Sequence, residues 1–78
     1  MNKPLLDGPM SVANTIQEFA RHHMGRSPTL SEFRDICLAS GNTNEEIDTY
    51  VEDAINVGIV RCDKSTDTLV ISNYRKVS

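Results

Sequence analysis

The side chains that could carry chemistry are few, and their spacing separates them by type. Five carboxylates, Glu45, Glu46, Asp48, Glu52 and Asp53, fall between Asn42 and Val57 with no Lys or Arg among them. A carboxylate works as a general acid or base only where burial or a fixed partner moves its pKa. On an amphipathic helix these five bracket the solvent-facing arc, so they present charge rather than move protons. Cys37 and Cys62 are the only cysteines, and the only histidines, His22 and His23, are adjacent. Zinc-finger ligand pairs are set about three to five residues apart, so no structural metal is expected, and no other cofactor either. Two well-separated thiols read as apolar side chains rather than as a disulfide. Ser, His and Asp occur without a nucleophile motif, and no Gly-rich phosphate loop is present. An enzyme is not expected.

Length and composition point the same way. A chain of 78 residues is one small domain, and a domain near this size buries only about 60% of the surface its unfolded chain exposes. That leaves little room for a substrate cleft with a lid. Apolar residues make up 38% and charged residues 24% of the chain, a globular balance too apolar for a disordered one. No run approaches the roughly 18 apolar residues of a membrane span, and MNKPLLDGPM lacks an apolar stretch of signal-peptide length. The expectation is a cytoplasmic protein with no membrane partner.

The elements that must position these residues follow from period and punctuation. Pro4, Gly8 and Pro9 interrupt residues 1–10, which read as a flexible arm from which Leu5 and Leu6 could still dock. Ser11 is a good N-cap for a first helix running to about His23. Val12, Ile16, Phe19, Ala20 and His23 share one side of it, with His23 at the core edge, and Gly25 ends it. Pro28 disfavours helix at Ser27, and Thr29 with Glu32 makes a capping box for a second helix. Leu30, Phe33, Ile36 and Cys37 share its inner side, Leu38 falls outside it, and Gly41 supplies the stop. A third helix starts at Asn42 or Thr43, each with a Glu three residues on, and runs to about Val57 before Gly58. Ile47, Tyr50, Val51, Ala54 and Ile55 form its buried stripe. After Gly58 the period becomes twofold: Val60 and Cys62 face one way and Arg61 the other. Asp63 to Asp67 read as a turn, and Leu69 and Ile71 alternate with Thr68, Val70 and Ser72. Three helices and a two-stranded hairpin over residues 11–74, with a frayed tail at 75–78, make an α+β winged helix.

This order, with the strings SPTLSEF and AINVGIV, resembles the DNA-binding domain of the LexA repressor family over about residues 13–73. Pro28 and Thr29 match the Pro-Thr start of that family's second helix. Gly58, Ile59 and Val60 match the short apolar segment that launches its wing. The resemblance implies a third helix that enters the major groove and a role in transcription regulation. It points to Thr43, Asn44, Asp48, Thr49, Glu52 and Asn56 as the outward positions. The chain has no room for that family's self-cleaving domain.

The charge map departs from that pattern. Two unit charges about 6 Å apart in water interact by roughly 0.7 kcal/mol, and physiological salt cuts this by about half. Five misplaced carboxylates therefore cost on the order of 2 kcal/mol, about thirtyfold in affinity. A net charge of −3 offers duplex DNA no general attraction in return. Two readings follow. In the first, the domain binds double-stranded DNA as a small regulator, and paired half-sites point to a homodimer. Arg61, Lys64 and Arg75 on and after the wing would hold phosphates, and Thr43, Asn44 and Thr49 would read base edges. In the second, Glu45, Asp48, Glu52 and Asp53 dock a basic protein surface, or the hairpin edge joins a partner's sheet. The bland alternative to both is a solvated helix face, with Glu45 and Glu46 favoured near the positive end of the helix dipole.

Overall fold

The structure is a computed structural model and describes residues 4–72. Three helices, α1 (Pro9–His22), α2 (Leu30–Ser40) and α3 (Asn44–Asn56), lead into an antiparallel hairpin of β1 (Val60–Asp63) and β2 (Thr68–Ile71). This is the winged helix expected from period and punctuation. Asn73, Tyr74 and the expected tail lie outside the described residues. The register pairs Val60 with Ile71, Arg61 with Val70, Cys62 with Leu69 and Asp63 with Thr68. Val60 and Leu69 are thereby turned into the core, while Arg61 stays exposed.

The hairpin is not attached only through its connection to α3. Leu30 donates its N–H to the Asp67 carbonyl at 2.8 Å, and Leu69 donates to the Pro28 carbonyl at 2.9 Å. The extended residues just before α2 thus form a short third rung beside β2, centred on Thr29 and Thr68. Phe33, Ile47, Leu69, Val12 and Val60 are fully buried where the three helices meet the sheet, with Leu6, Ile16, Cys37 and Ala54 around them.

The caps of α2 and α3 follow the local chemistry. Thr29 Oγ1 accepts from Glu32 N–H at 3.1 Å, and Glu32 Oε1 accepts from Thr29 N–H at 2.9 Å. Thr43 and Glu46 make the same exchange, at 3.1 Å in both directions. Gly41 closes α2 at φ 114°, a region closed to most L-residues, and so lets α3 begin within three residues.

Several expectations are corrected. Helix α1 begins at Pro9 rather than after Ser11, because a proline's fixed φ suits the first helical position. Ser11 sits inside the first turn, where its hydroxyl accepts from the backbone N–H groups of Asp7 (2.9 Å) and Gly8 (3.2 Å). Residues 1–10 are not a loose arm throughout. From Leu5 the chain is a strap across the body, and Leu6, only 2% exposed, belongs to the core. At the other end of α1, Met24 takes the left-handed position at φ 58° ahead of Gly25. That conformation costs about 1–2 kcal/mol for a residue with a Cβ, and the fully exposed Met24 side chain meets no further obstacle. His23 is exposed and stacks on Phe19, with ring centroids 3.9 Å apart. Ile55, expected in the buried stripe of α3, is 39% exposed at its edge.

Candidate interface on the third helix and the wing

Helix α3 buries Ile47, Val51 and Ala54, and this orientation decides what it shows to solvent. Glu45, Thr49, Glu52, Asp53 and Asn56 are exposed and lie on the side away from that stripe. Asp48 and Asn44 lie on the flank toward α2. There the Arg34 guanidinium donates from Nη2 to Asp48 Oδ1 at 2.8 Å and from Nη1 to Asn44 Oδ1 at 3.0 Å. Arg34 is the one cation among the described residues that forms an ion pair with an α3 side chain. Four carboxylates of the face, Glu45, Glu46, Glu52 and Asp53, have no ion-pair partner among the described residues.

The expected base-reading positions are placed unevenly. Thr43 spends its hydroxyl oxygen on the α3 cap, and the side-chain oxygen of Asn44 is taken by Arg34. Thr49 alone of the three stands exposed with no hydrogen bond from its side chain among the described residues. On the wing, Arg61 and Lys64 are both exposed. The turn that carries Lys64 is held by Asp63, whose Oδ1 accepts from the Ser65 hydroxyl at 2.7 Å and the Ser65 N–H at 3.0 Å. These bonds hold the Asp63 carboxyl below its ordinary range, with a smaller contribution from the nearby Arg61 charge. Arg75 lies outside the described residues.

Glu46 lies outside the expected partner-facing set of Glu45, Asp48, Glu52 and Asp53, yet it is the best connected of the α3 carboxylates. Its Oε1 accepts from Asn42 Nδ2 at 3.0 Å as well as from Thr43 N–H. The Asn42 amide and then the Thr43 N–H hold its pKa below the usual value. Asn42, one of the two expected caps for α3, does not cap it; Thr43 does. Asn42 is instead a buried clasp, 3% exposed, whose Oδ1 accepts from Leu6 N–H at 3.0 Å and whose Nδ2 donates to the Leu6 carbonyl at 3.1 Å. Its position beside Gly41 carries no sequence signal for that role.

Away from α3, an open groove of about 620 Å³ runs between the strap, α1 and α2. Leu5, Phe19 and Ile36 give it apolar walls, and Asp7, Glu18 and His22 line it as well. None of the expected site residues lines this groove. The two thiols are free: Cys37 is buried, which pushes its pKa up to about 11, and Cys62 is half-buried. No group of three or more His, Cys, Asp or Glu side chains is placed to hold a metal ion among the described residues. No helix among them is long and apolar enough to cross a membrane.

Fold and surface together define a winged-helix domain whose third helix is acidic on its exposed side. Comparison of the chain with protein-family models, with curated proteins and with solved structures finds no match.

Proposed function

We propose that this domain is a cytoplasmic protein-interaction module that presents the exposed face of α3 to a basic partner surface. The observation that carries this reading is the row of four carboxylates on α3 with no ion pair among the described residues, next to a cation, Arg34, already committed to Asp48 and Asn44. A duplex brought against this face would meet phosphates with carboxylates, and a partner's Lys and Arg side chains meet them with opposite charge. Ile55 and Val57, 39% and 63% exposed at the C-terminal end of the helix, add apolar area that a protein partner can bury and a phosphate backbone cannot. The role is one of binding, without catalysis or a cofactor.

A second reading keeps a specific observation of its own. Arg61 and Lys64 project from the wing with no ion pair among the described residues, and a regulator could grip DNA there while Thr49 approaches the bases.

Titration of labelled protein with octalysine and, separately, with a 20-base-pair duplex, each at about 50 and 200 mM salt, separates the two. The interaction reading expects octalysine to shift the amides of Glu45, Thr49, Glu52 and Asp53, and substitution of Glu45 and Glu52 by Gln to weaken the effect. Salt-sensitive shifts centred on Arg61 and Lys64 with the duplex, and none on α3 with octalysine, would overturn it in favour of DNA.

A further inference from the structure

The strap is fastened to the body in an unusual way. Among the described residues, none of its backbone groups from Leu5 to Gly8 pairs with backbone elsewhere in the fold. Leu6, though buried, has its N–H and its carbonyl both satisfied by the one Asn42 side chain, at 3.0 and 3.1 Å. Leu5 N–H adds a single bond to Ser40 Oγ at 3.1 Å. The remaining hydrogen of the Asn42 amide goes to Glu46 Oε1 at 3.0 Å. Leu6 on the strap and Glu46 on α3 are therefore the two ends of one relay through a buried amide.

We propose that this relay makes the strap a switch set by the Lys and Arg side chains of a basic protein partner on the acidic face of α3. The inference rests on the reading of that face as a docking surface for basic groups, and it adds a means of regulation. Glu46 is exposed, so a Lys or Arg side chain drawn to this acidic flank competes with Asn42 for the Glu46 carboxylate. Once Glu46 turns outward, an N–H of a 97%-buried side chain has lost its acceptor, Asn42 being 3% exposed. A buried donor left without a partner is costly, so the amide turns toward water and gives up Leu6. Release of the strap vacates the Leu6 socket, and it moves Leu5 and Asp7, which wall the groove beside α1. Linkage makes the effect reciprocal: a cation on α3 loosens the strap, and loss of the strap tightens cation binding by the same factor.

The test reads amide exchange of Leu6, first without any ligand. Glu46→Ala removes the acceptor and is expected to speed Leu6 exchange by about tenfold or more. Glu46→Gln keeps an acceptor oxygen and is expected to stay closer to the parent chain. Thr43→Ala, which frays the start of α3 but leaves the clasp, controls for the cap and is expected to leave Leu6 within about twofold. Octalysine added to the parent protein is then expected to speed Leu6 exchange, and to bind more tightly to Leu6→Ala. An unchanged Leu6 rate in Glu46→Ala overturns the relay. Octalysine shifts on Glu45, Glu52 and Asp53 with no change at Leu6 overturn the switch alone, because the cation then sits on Oε2 and leaves Oε1 with Asn42. No octalysine shifts on α3 overturn the docking reading, and with it the signal the switch needs.

Discussion

Helices α2 and α3 open with the same Thr-x-x-Glu box, and the two boxes meet different neighbours. At α2, Arg26 Nη1 and Nη2 grip both oxygens of Glu32 at 3.0 and 3.2 Å, and the same guanidinium lies 5.1 Å from the centroid of Phe19. The Arg26 hydrogen bonds, followed by the Thr29 N–H, bring the Glu32 carboxyl down to about 2. At α3, Glu46 has no cation among the described residues and receives the neutral Asn42 amide in its place. One local motif is thus closed off electrically at α2 and left as a charged, reachable group at α3. A capping box decides where a helix starts; the residue that packs against it decides whether its carboxylate remains available to a partner.

The largest effect is expected where the α3 box joins the core. Asn42→Ala leaves the buried N–H and carbonyl of Leu6 without partners and should cost about 2–4 kcal/mol in urea unfolding. A loss below about 1 kcal/mol would mean that water replaces the clasp, and the contrast between the boxes would shrink. Next come the caps themselves. Thr29→Ala and Thr43→Ala should each cost about 1 kcal/mol, since both remove the same hydroxyl acceptor from the same position. A much larger loss for Thr29→Ala would show that the rung beside β2 depends on that side chain as well as on backbone.

The smallest effect is electrostatic and sharpens the comparison most directly. Arg26→Ala should raise the Glu32 titration midpoint from about 2 toward the ordinary 4.5, with Thr29 N–H keeping part of the depression, and should leave the Glu46 midpoint unmoved. Carboxyl carbon shifts followed against pH report both. The sign for stability follows from the depressed folded-state value. The Arg26–Glu32 contribution is present above the unfolded carboxyl pKa and is lost as pH falls from there through about 2. In Arg26→Ala that acid loss should be smaller. Equal midpoints for Glu32 in the two proteins would remove Arg26 as the cause.

Much of the fold was legible in the residues because its signals act within about four positions along the chain. Thr29 starts one helix, the alternatives Asn42 and Thr43 bracket the start of the next, Gly41 stops one, and the twofold alternation after Gly58 places Val60 and Leu69 inward; the structure has each of these and takes Thr43 as the cap. The acidity of the α3 face was legible for the same reason, since helical spacing alone puts Glu45, Glu52 and Asp53 outside. Its local chemistry was less so. That Thr43 and Asn44 are occupied follows from a cap choice between Asn42 and Thr43 and from the reach of Arg34 across ten to fourteen residues.

By itself the sequence determined both ends of α2, the start of α3 to within one residue, the strand alternation and the sign of charge on the α3 face, because caps, periods and charge depend on neighbours in the chain. Only the tertiary structure decided that Leu6 enters the core, that Asn42 clasps it from 36 residues away, that the residues before α2 join the sheet, and that Glu32 is paired with Arg26 while Glu46 meets no cation among the described residues. Those outcomes depend on which groups lose water together when distant segments pack. A buried amide finds its partners by elimination of solvent, and no spacing in the chain encodes which groups are left for it.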